Sequence, residues 1–216
     1  MAQLFHRSFN VISRASIVLL VLAVMAACVI GGVMHRSSWK THAQMSVLQP
    51  VPFSHQHHVA ALGIDCRYCH TGAEESAFAG IPSTHTCMTC HSQIWTNAPV
   101  LAVVRESYRT EKPIRWTRVH DLPDFVYFDH SIHVRKGVGC VECHGRVDEM
   151  PITAQAKSLH MQWCLACHDH PADRLRPSTD VVKLAAPLPA RGDREELASA
   201  NHIHAAQLTD CSVCHR

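Results

Sequence analysis

Apolar positions are distributed unevenly along the 216 residues. Ser16–Met34, SIVLLVLAVMAACVIGGVM, is 19 residues without a charge. That approaches the roughly 20 apolar residues of a membrane-crossing helix and exceeds the roughly 7–15 of a signal-peptide core. Arg7 and Arg14 precede it, and basic flanks stay on the cytoplasmic side. The pattern predicts a cytoplasmic N-terminus over residues 1–15, a single anchor helix over 16–34 and an exported remainder. A cleaved signal processed near Thr41–Gln44 is one alternative. Lipidation at Cys28 after VMAA is another, although Met25 suits that pattern poorly and the apolar run continues past Cys28.

Beyond residue 34 no comparable run occurs. Residues 35–52 read as a linker. Ala98–Tyr108, APVLAVVRESY, predicts a short helix, and Lys112–Phe128 predicts extended chain. Pro171–Pro189 carries four prolines among charges and predicts an irregular linker over 171–190. Arg194–Leu208 has helix-favouring composition that leads to the C-terminus. About 180 residues suit one compact domain or two small ones. With only 6% aromatic residues, the chain has few large side chains for a core. The formal charge is +2 and no lysine- or arginine-rich block occurs, so nucleic-acid binding has no electrostatic footprint.

Cysteine and histidine supply the chemistry. There are 11 cysteines and 19 histidines, the latter nearly matching the 20 lysines and arginines together. The pattern C-x-x-C-H occurs five times: Cys66/Cys69/His70, Cys87/Cys90/His91, Cys140/Cys143/His144, Cys164/Cys167/His168 and Cys211/Cys214/His215. These use every cysteine outside the apolar segment. The pattern is the attachment signature of c-type haem. On one helical turn, cysteines at i and i+3 project to one side and bond the two vinyl groups; the next histidine supplies a proximal nitrogen to the iron. Disulfides or thioredoxin-like pairs give no reason for a histidine after each pair, and zinc ribbons use two cysteine pairs per metal. The expectation is five covalent haem c groups, with roughly 36 residues per haem, and hence short α-helices and irregular coil around the haems with little or no β-sheet. Propionates would make the assembly more acidic; Arg115, Arg118, Arg135 and Arg146 are candidate partners for them.

The exported part contains a duplication. Phe53–His70, FSHQHHVAALGIDCRYCH, is echoed by Phe128–His144, FDHSIHVRKGVGCVECH. In each copy the second motif follows the first, 21 or 24 residues on. The expected organisation is a two-haem module over 53–110, a second over 111–170, the linker, and a helix with the fifth motif over 191–216. Histidines three apart on a helix point the same way, so they cannot ligate opposite faces of one iron. His55/His58 and His130/His133 are therefore expected as four distal ligands, each pair bridging two haems. His120 is the candidate for the fifth, with His57, His85, His160, His202, His204 and Met161 as rivals.

The Phe-x-His-x-x-His element ahead of C-x-x-C-H resembles the class III multihaem cytochromes c. The longer stretch HDLPDFVYFDHSIHVRKGVGCVECHGRVDEMP, with IPSTHTCMTCH, SLHMQWCLACH and the terminal TDCSVCHR, resembles the pentahaem cytochrome subunit of bacterial alternative complex III. The likeness covers Phe53 to about Pro171 and the last eight residues. It implies a haem domain on the periplasmic face of a bacterial inner membrane, relaying electrons without a substrate of its own. The implied donor is an iron–sulfur subunit of a quinol-oxidising complex with further membrane subunits, and the acceptor a cytochrome c or terminal oxidase. Two alternatives are a small membrane-anchored quinol dehydrogenase feeding a periplasmic reductase, and a multihaem reductase with an open haem.

Overall fold

Twenty-nine consecutive residues, Ser8–Arg36, form helix α1. At 1.5 Å per residue this is about 44 Å, more than the roughly 30 Å hydrocarbon thickness of a bilayer. The computed structural model describes residues 5–215. Residues 1–4 of the expected cytoplasmic N-terminus, and Arg216 at the end of TDCSVCHR, lie outside the described residues. The chain divides into two units, Met1–His42 and Ala43–Arg216. In the first, α1 is followed by the short α2 (Ser38–Thr41), and α1 is long and apolar enough to cross a membrane.

The second unit is helical and irregular. Gln56–Ala61 forms one π-helical turn. It is followed by α3 (Cys66–Cys69), α4 (Thr84–His91) and α5 (Ala102–Thr110). Next come α6 (His130–Arg135), α7 (Cys140–His144) and α8 (Met161–His168). The last are α9 (Arg191–Ala200), α10 (Ala205–Leu208) and α11 (Cys211–Cys214). Among the described residues there is no β-strand, only three isolated bridges: Ala43 with Gln155, Ser46 with Ala154, and Val138 with Leu175. The helix expected at Ala98–Tyr108 is present as Pro99–Leu101 and α5. The helix expected at Arg194–Leu208 breaks after Ala200, where His202 adopts a left-handed φ of 51°.

The polypeptide supplies little apolar interior. Six hydrophobic side chains are buried among the described residues, in two places: Val51, Leu101 and Val104, and Leu175, Val181 and Leu184. Cys87, Met88 and Trp116 pack against the first group. The second group lies inside the proline-rich stretch, so this segment is a strap rather than a loose linker. Its Arg176 amide donates to Gly137 O at 2.9 Å, and its Val181 carbonyl accepts from Cys140 N at 3.0 Å. Arg176 is 2% exposed. Its guanidinium bonds Glu142 at 2.9 Å and Ala186 O at 3.2 Å. Composition hid this because prolines and charges serve a packed irregular strap as well as a solvated one.

Candidate functional site

Each C-x-x-C pair lies on helical turn, with local reasons for its start. Asp65 caps α3 by accepting from Arg67 N, and Asp210 caps α11 by accepting from Ser212 N. Asp129 does the same for α6 through Ser131 N. A short acidic or hydroxyl side chain at this position satisfies an amide that the helix leaves open. None of the eleven cysteines is paired in a disulfide. Among the described residues no group of three or more His, Cys, Asp or Glu side chains converges on a metal-ion site.

The histidines are arranged in pairs. The His55 and His70 ring centres lie 6.4 Å apart, and those of His58 and His91 6.2 Å apart. In the second copy the separations are 6.3 Å for His130 and His144 and 6.1 Å for His133 and His168. Two imidazoles bound to opposite sides of one metal have centres about 6.2 Å apart, from bonds of about 2 Å and about 1.1 Å from each nitrogen to its ring centre. The four pairs fit that separation. The i, i+3 histidines of each copy face the histidines of different C-x-x-C-H motifs.

The remaining ring nitrogens are held. Nδ1 of His58 and of His133 meets the carbonyl four residues back, Ser54 O at 2.8 Å and Asp129 O at 2.7 Å. His130 Nδ1 meets Ala77 O at 2.8 Å and His55 Nδ1 meets the Thr153 hydroxyl at 2.9 Å. On the motif side, His70 uses Gly80 O (2.7 Å), His91 Ile94 O (3.3 Å), His168 Leu208 O (2.9 Å) and His215 Phe125 O (3.2 Å). A carbonyl accepts only from a protonated nitrogen, so in the seven of these histidines that meet a carbonyl Nδ1 carries the hydrogen and, in the neutral ring, Nε2 keeps a lone pair. This is how metal-ligating imidazoles are usually oriented.

Contacts between motifs put them in a row. Tyr68 of the first bonds Thr89 of the second at 2.8 Å. Between the first and third, His130 N donates to Ala77 O at 3.3 Å. The third and fourth share α6, whose His130 and His133 face one motif each. The fourth meets the C-terminal segment through His168 and Leu208 O. The Cys164 thiol lies near Cys214, adding to the rise that burial causes. The order is second, first, third, fourth, fifth. The middle is the driest part: burial first, then Cys167, pushes the Cys143 thiol up to about 12. Desolvation, then His120 and His130, pushes the His144 imidazole down to about 3.

His120 was the candidate for the fifth distal ligand, with its motif left open. The structure brings its ring 4.3 Å from that of His144, at 68°, with Nε2 buried and without a hydrogen-bond partner. The stretch that reaches the fifth motif lies five residues further on. Tyr127 N donates to Cys214 O at 2.8 Å, and the Phe125 and His215 rings are 5.9 Å apart. An extended segment carries no periodicity that tells which of its residues meets which helix. Among the rivals, His85 pairs with Glu111 at 3.2 Å and His57 stacks on Trp95. Two candidate propionate partners are already engaged: Arg118 with Asp121, and Arg146 with Asp148 and Glu149. The acceptors Thr153, Ala77 and Leu208 escaped sequence reading, because nothing local marks them.

These features, C-x-x-C-H turns each facing further histidines, are those in which the chain is similar to multihaem c-type cytochromes. The profile described as cytochrome c3 matches residues 132–216. The chain is also 39% identical over 97 residues to the multihaem cytochrome c subunit of menaquinone reductase from Nitratidesulfovibrio vulgaris (strain Hildenborough). That alignment covers 44% of this chain, and the chain spans a little under half, 45%, of the relative's length.

Proposed function

We propose that this chain is a membrane-anchored pentahaem subunit that relays electrons between a quinone-linked membrane complex and a c-type cytochrome or oxidase. The observation that carries the reading is the set of four histidine pairs at the spacing of bis-imidazole ligation.

In this reading the ten cysteines of the motifs hold haem covalently, and His70, His91, His144, His168 and His215 are proximal ligands. His55, His58, His130 and His133 are the distal ligands of the first, second, third and fourth motifs respectively. Bound haem supplies a one-electron ferric–ferrous couple at each site. With haem held there, the polypeptide would keep each paired site saturated, because the two histidines of a pair would both ligate the iron and the Nδ1 hydrogen bond of each distal one would keep it from turning away. Saturation leaves no position for a substrate, which sets these sites apart from those of a multihaem reductase. α6, and His55 together with the π-helical turn that it precedes, would hold neighbouring sites together, since each carries the distal ligands of two. α1 is read as the anchor, with the second unit on the periplasmic side.

The likeness to alternative complex III favours an iron–sulfur donor and outward flow from quinol. The relative's name favours a second direction, inward flow towards menaquinone. Purification from membranes in mild detergent tests the shared reading. Recovery with iron–sulfur and polytopic quinone-binding subunits supports it; recovery alone or with a soluble reductase overturns it. In the same preparation, reduction of the chain by quinol selects outward flow, and quinone reduction after addition of a ferrous c-type cytochrome selects inward flow. Carbon monoxide is expected to leave the four paired sites unaltered, and binding at any of them would sink the saturated assignment.

A further inference from the structure

The distal ligands His58 and His133 are structural duplicates. Each follows a phenylalanine by five residues and packs on its ring, at 4.4 Å and 23° for Phe53 and at 4.6 Å and 30° for Phe128. Each bonds the carbonyl four residues back. Their proximal partners are not duplicates. His133 and His168 lie 23° from coplanar, and the two inner pairs 12° each, whereas His58 and His91 cross at 65°.

The difference arises on the motif side. His168 is oriented by Leu208 O, 40 residues away, at 2.9 Å. His91 is oriented by Ile94 O, three residues on, at a longer 3.3 Å. That carbonyl lies in a turn where the next residue, Trp95, takes a left-handed φ of 53°. The azimuth of a ligating imidazole is set by what its other nitrogen bonds. The short local turn after the second motif therefore rotates His91 away from the orientation that His168 keeps.

Ring azimuth matters electronically. The filled π orbital of an imidazole stands perpendicular to its ring and overlaps one of the two iron orbitals of matching symmetry. Two near-coplanar rings act on the same orbital, split the pair and stabilise the ferric state. Two crossed rings act on both orbitals and leave the pair nearly degenerate. The longer hydrogen bond works in the same direction, because it leaves His91 a weaker donor to ferric iron.

Resting on the bis-histidine reading above, we infer that the site of Cys87, Cys90, His58 and His91 is electronically distinct from the other three paired sites, and is the high-potential end of the row. The second motif adjoins the first and lies at one end of the order given above, so an electron on these four sites comes to rest at that end.

The test is low-temperature electron paramagnetic resonance of the oxidised, detergent-purified full chain carrying its haems, followed through a redox titration. The expected spectrum has one highly anisotropic low-spin signal of about one spin per chain beside three rhombic ones, and the anisotropic signal is the first of the four lost on reduction. H58M removes that signal alone, whereas H133M removes one rhombic signal and spares it. Haem content of each variant is counted by pyridine haemochrome; where a variant loses haem, the wild-type spin ratio and titration order decide. Four rhombic signals, or an anisotropic signal that persists in H58M or is lost last, overturn the inference while leaving bis-histidine ligation intact. Loss of all low-spin signals would instead overturn the ligation reading itself.

Discussion

The two copies of the duplicated module start from nearly one sequence and end in different surroundings. Gly63 and Gly137 are equivalent, each ahead of its first motif, and both hold left-handed φ, 69° and 89°. Around Gly63 there is open space, whereas a Cβ on Gly137 would stand 2.5 Å from Arg176 O. In the first copy, Asp65 caps its helix from the surface, paired with an exposed Arg67. Its counterpart Gly139 has no room for a side chain, because the Arg176 guanidinium lies against it. A repeat thus specifies local geometry twice, and a single third segment, the strap, makes one copy interior and leaves the other near the surface.

The largest expected effect comes from cysteine substitutions. Cys87→Ser should cost one covalent haem and leave the rest folded, whereas Cys143→Ser should cost a haem and expose the chain to limited proteolysis. Haem counting with mass spectrometry measures both, and equal protease resistance would break the contrast.

Arg176→Met removes one partner of the Glu142 pair, whose side chains are 2% and 14% exposed. Breaking a buried pair from one side costs about 3–5 kcal/mol. The thermal midpoint should fall, and pairing the change with Glu142→Gln should recover part of the loss. A single substitution without effect would show that the strap is not held by this pair.

Gly137→Ala against Gly63→Ala is sharper. Both carry the left-handed penalty of about 1–3 kcal/mol, and only the first adds a backbone clash. Denaturant midpoints should therefore fall further for Gly137→Ala; equal losses would mean that the strap yields.

The smallest effect concerns the inner histidines proposed as distal ligands, which the two copies hold for each other. His55 is fixed by Thr153 of the second copy and His130 by Ala77 O of the first. Thr153→Val removes the acceptor of His55, worth about 1 kcal/mol. It should raise the potential of one haem and leave the others in place, with Thr153→Ser restoring it. An unchanged titration would show that His55 needs no such partner.

Some of this was legible without coordinates. Five C-x-x-C-H turns, the apolar helix and the duplicated histidines are local patterns, because a helical turn needs only neighbours at i+3 and i+4. The pairing partner of each histidine was not legible, nor was the place of His120. Both depend on how separate turns are packed, and Lys112–Phe128 has no period that would reveal its register against other elements. The burial of the strap was not legible for a related reason: proline content reports backbone stiffness and says nothing about burial.

By itself, then, the sequence marked which residues are candidates to attach and ligate haem, and placed four of the five motifs in two similar stretches with the fifth beyond them. Tertiary structure alone decided the order of the motifs, which carbonyl or hydroxyl turns each imidazole, and which copy lies beneath the strap. The physical reason is range. Attachment chemistry is encoded within five residues, whereas ring orientation and dryness come from groups such as Leu208, Thr153 and Arg176, brought from tens of residues away by the packing of the chain.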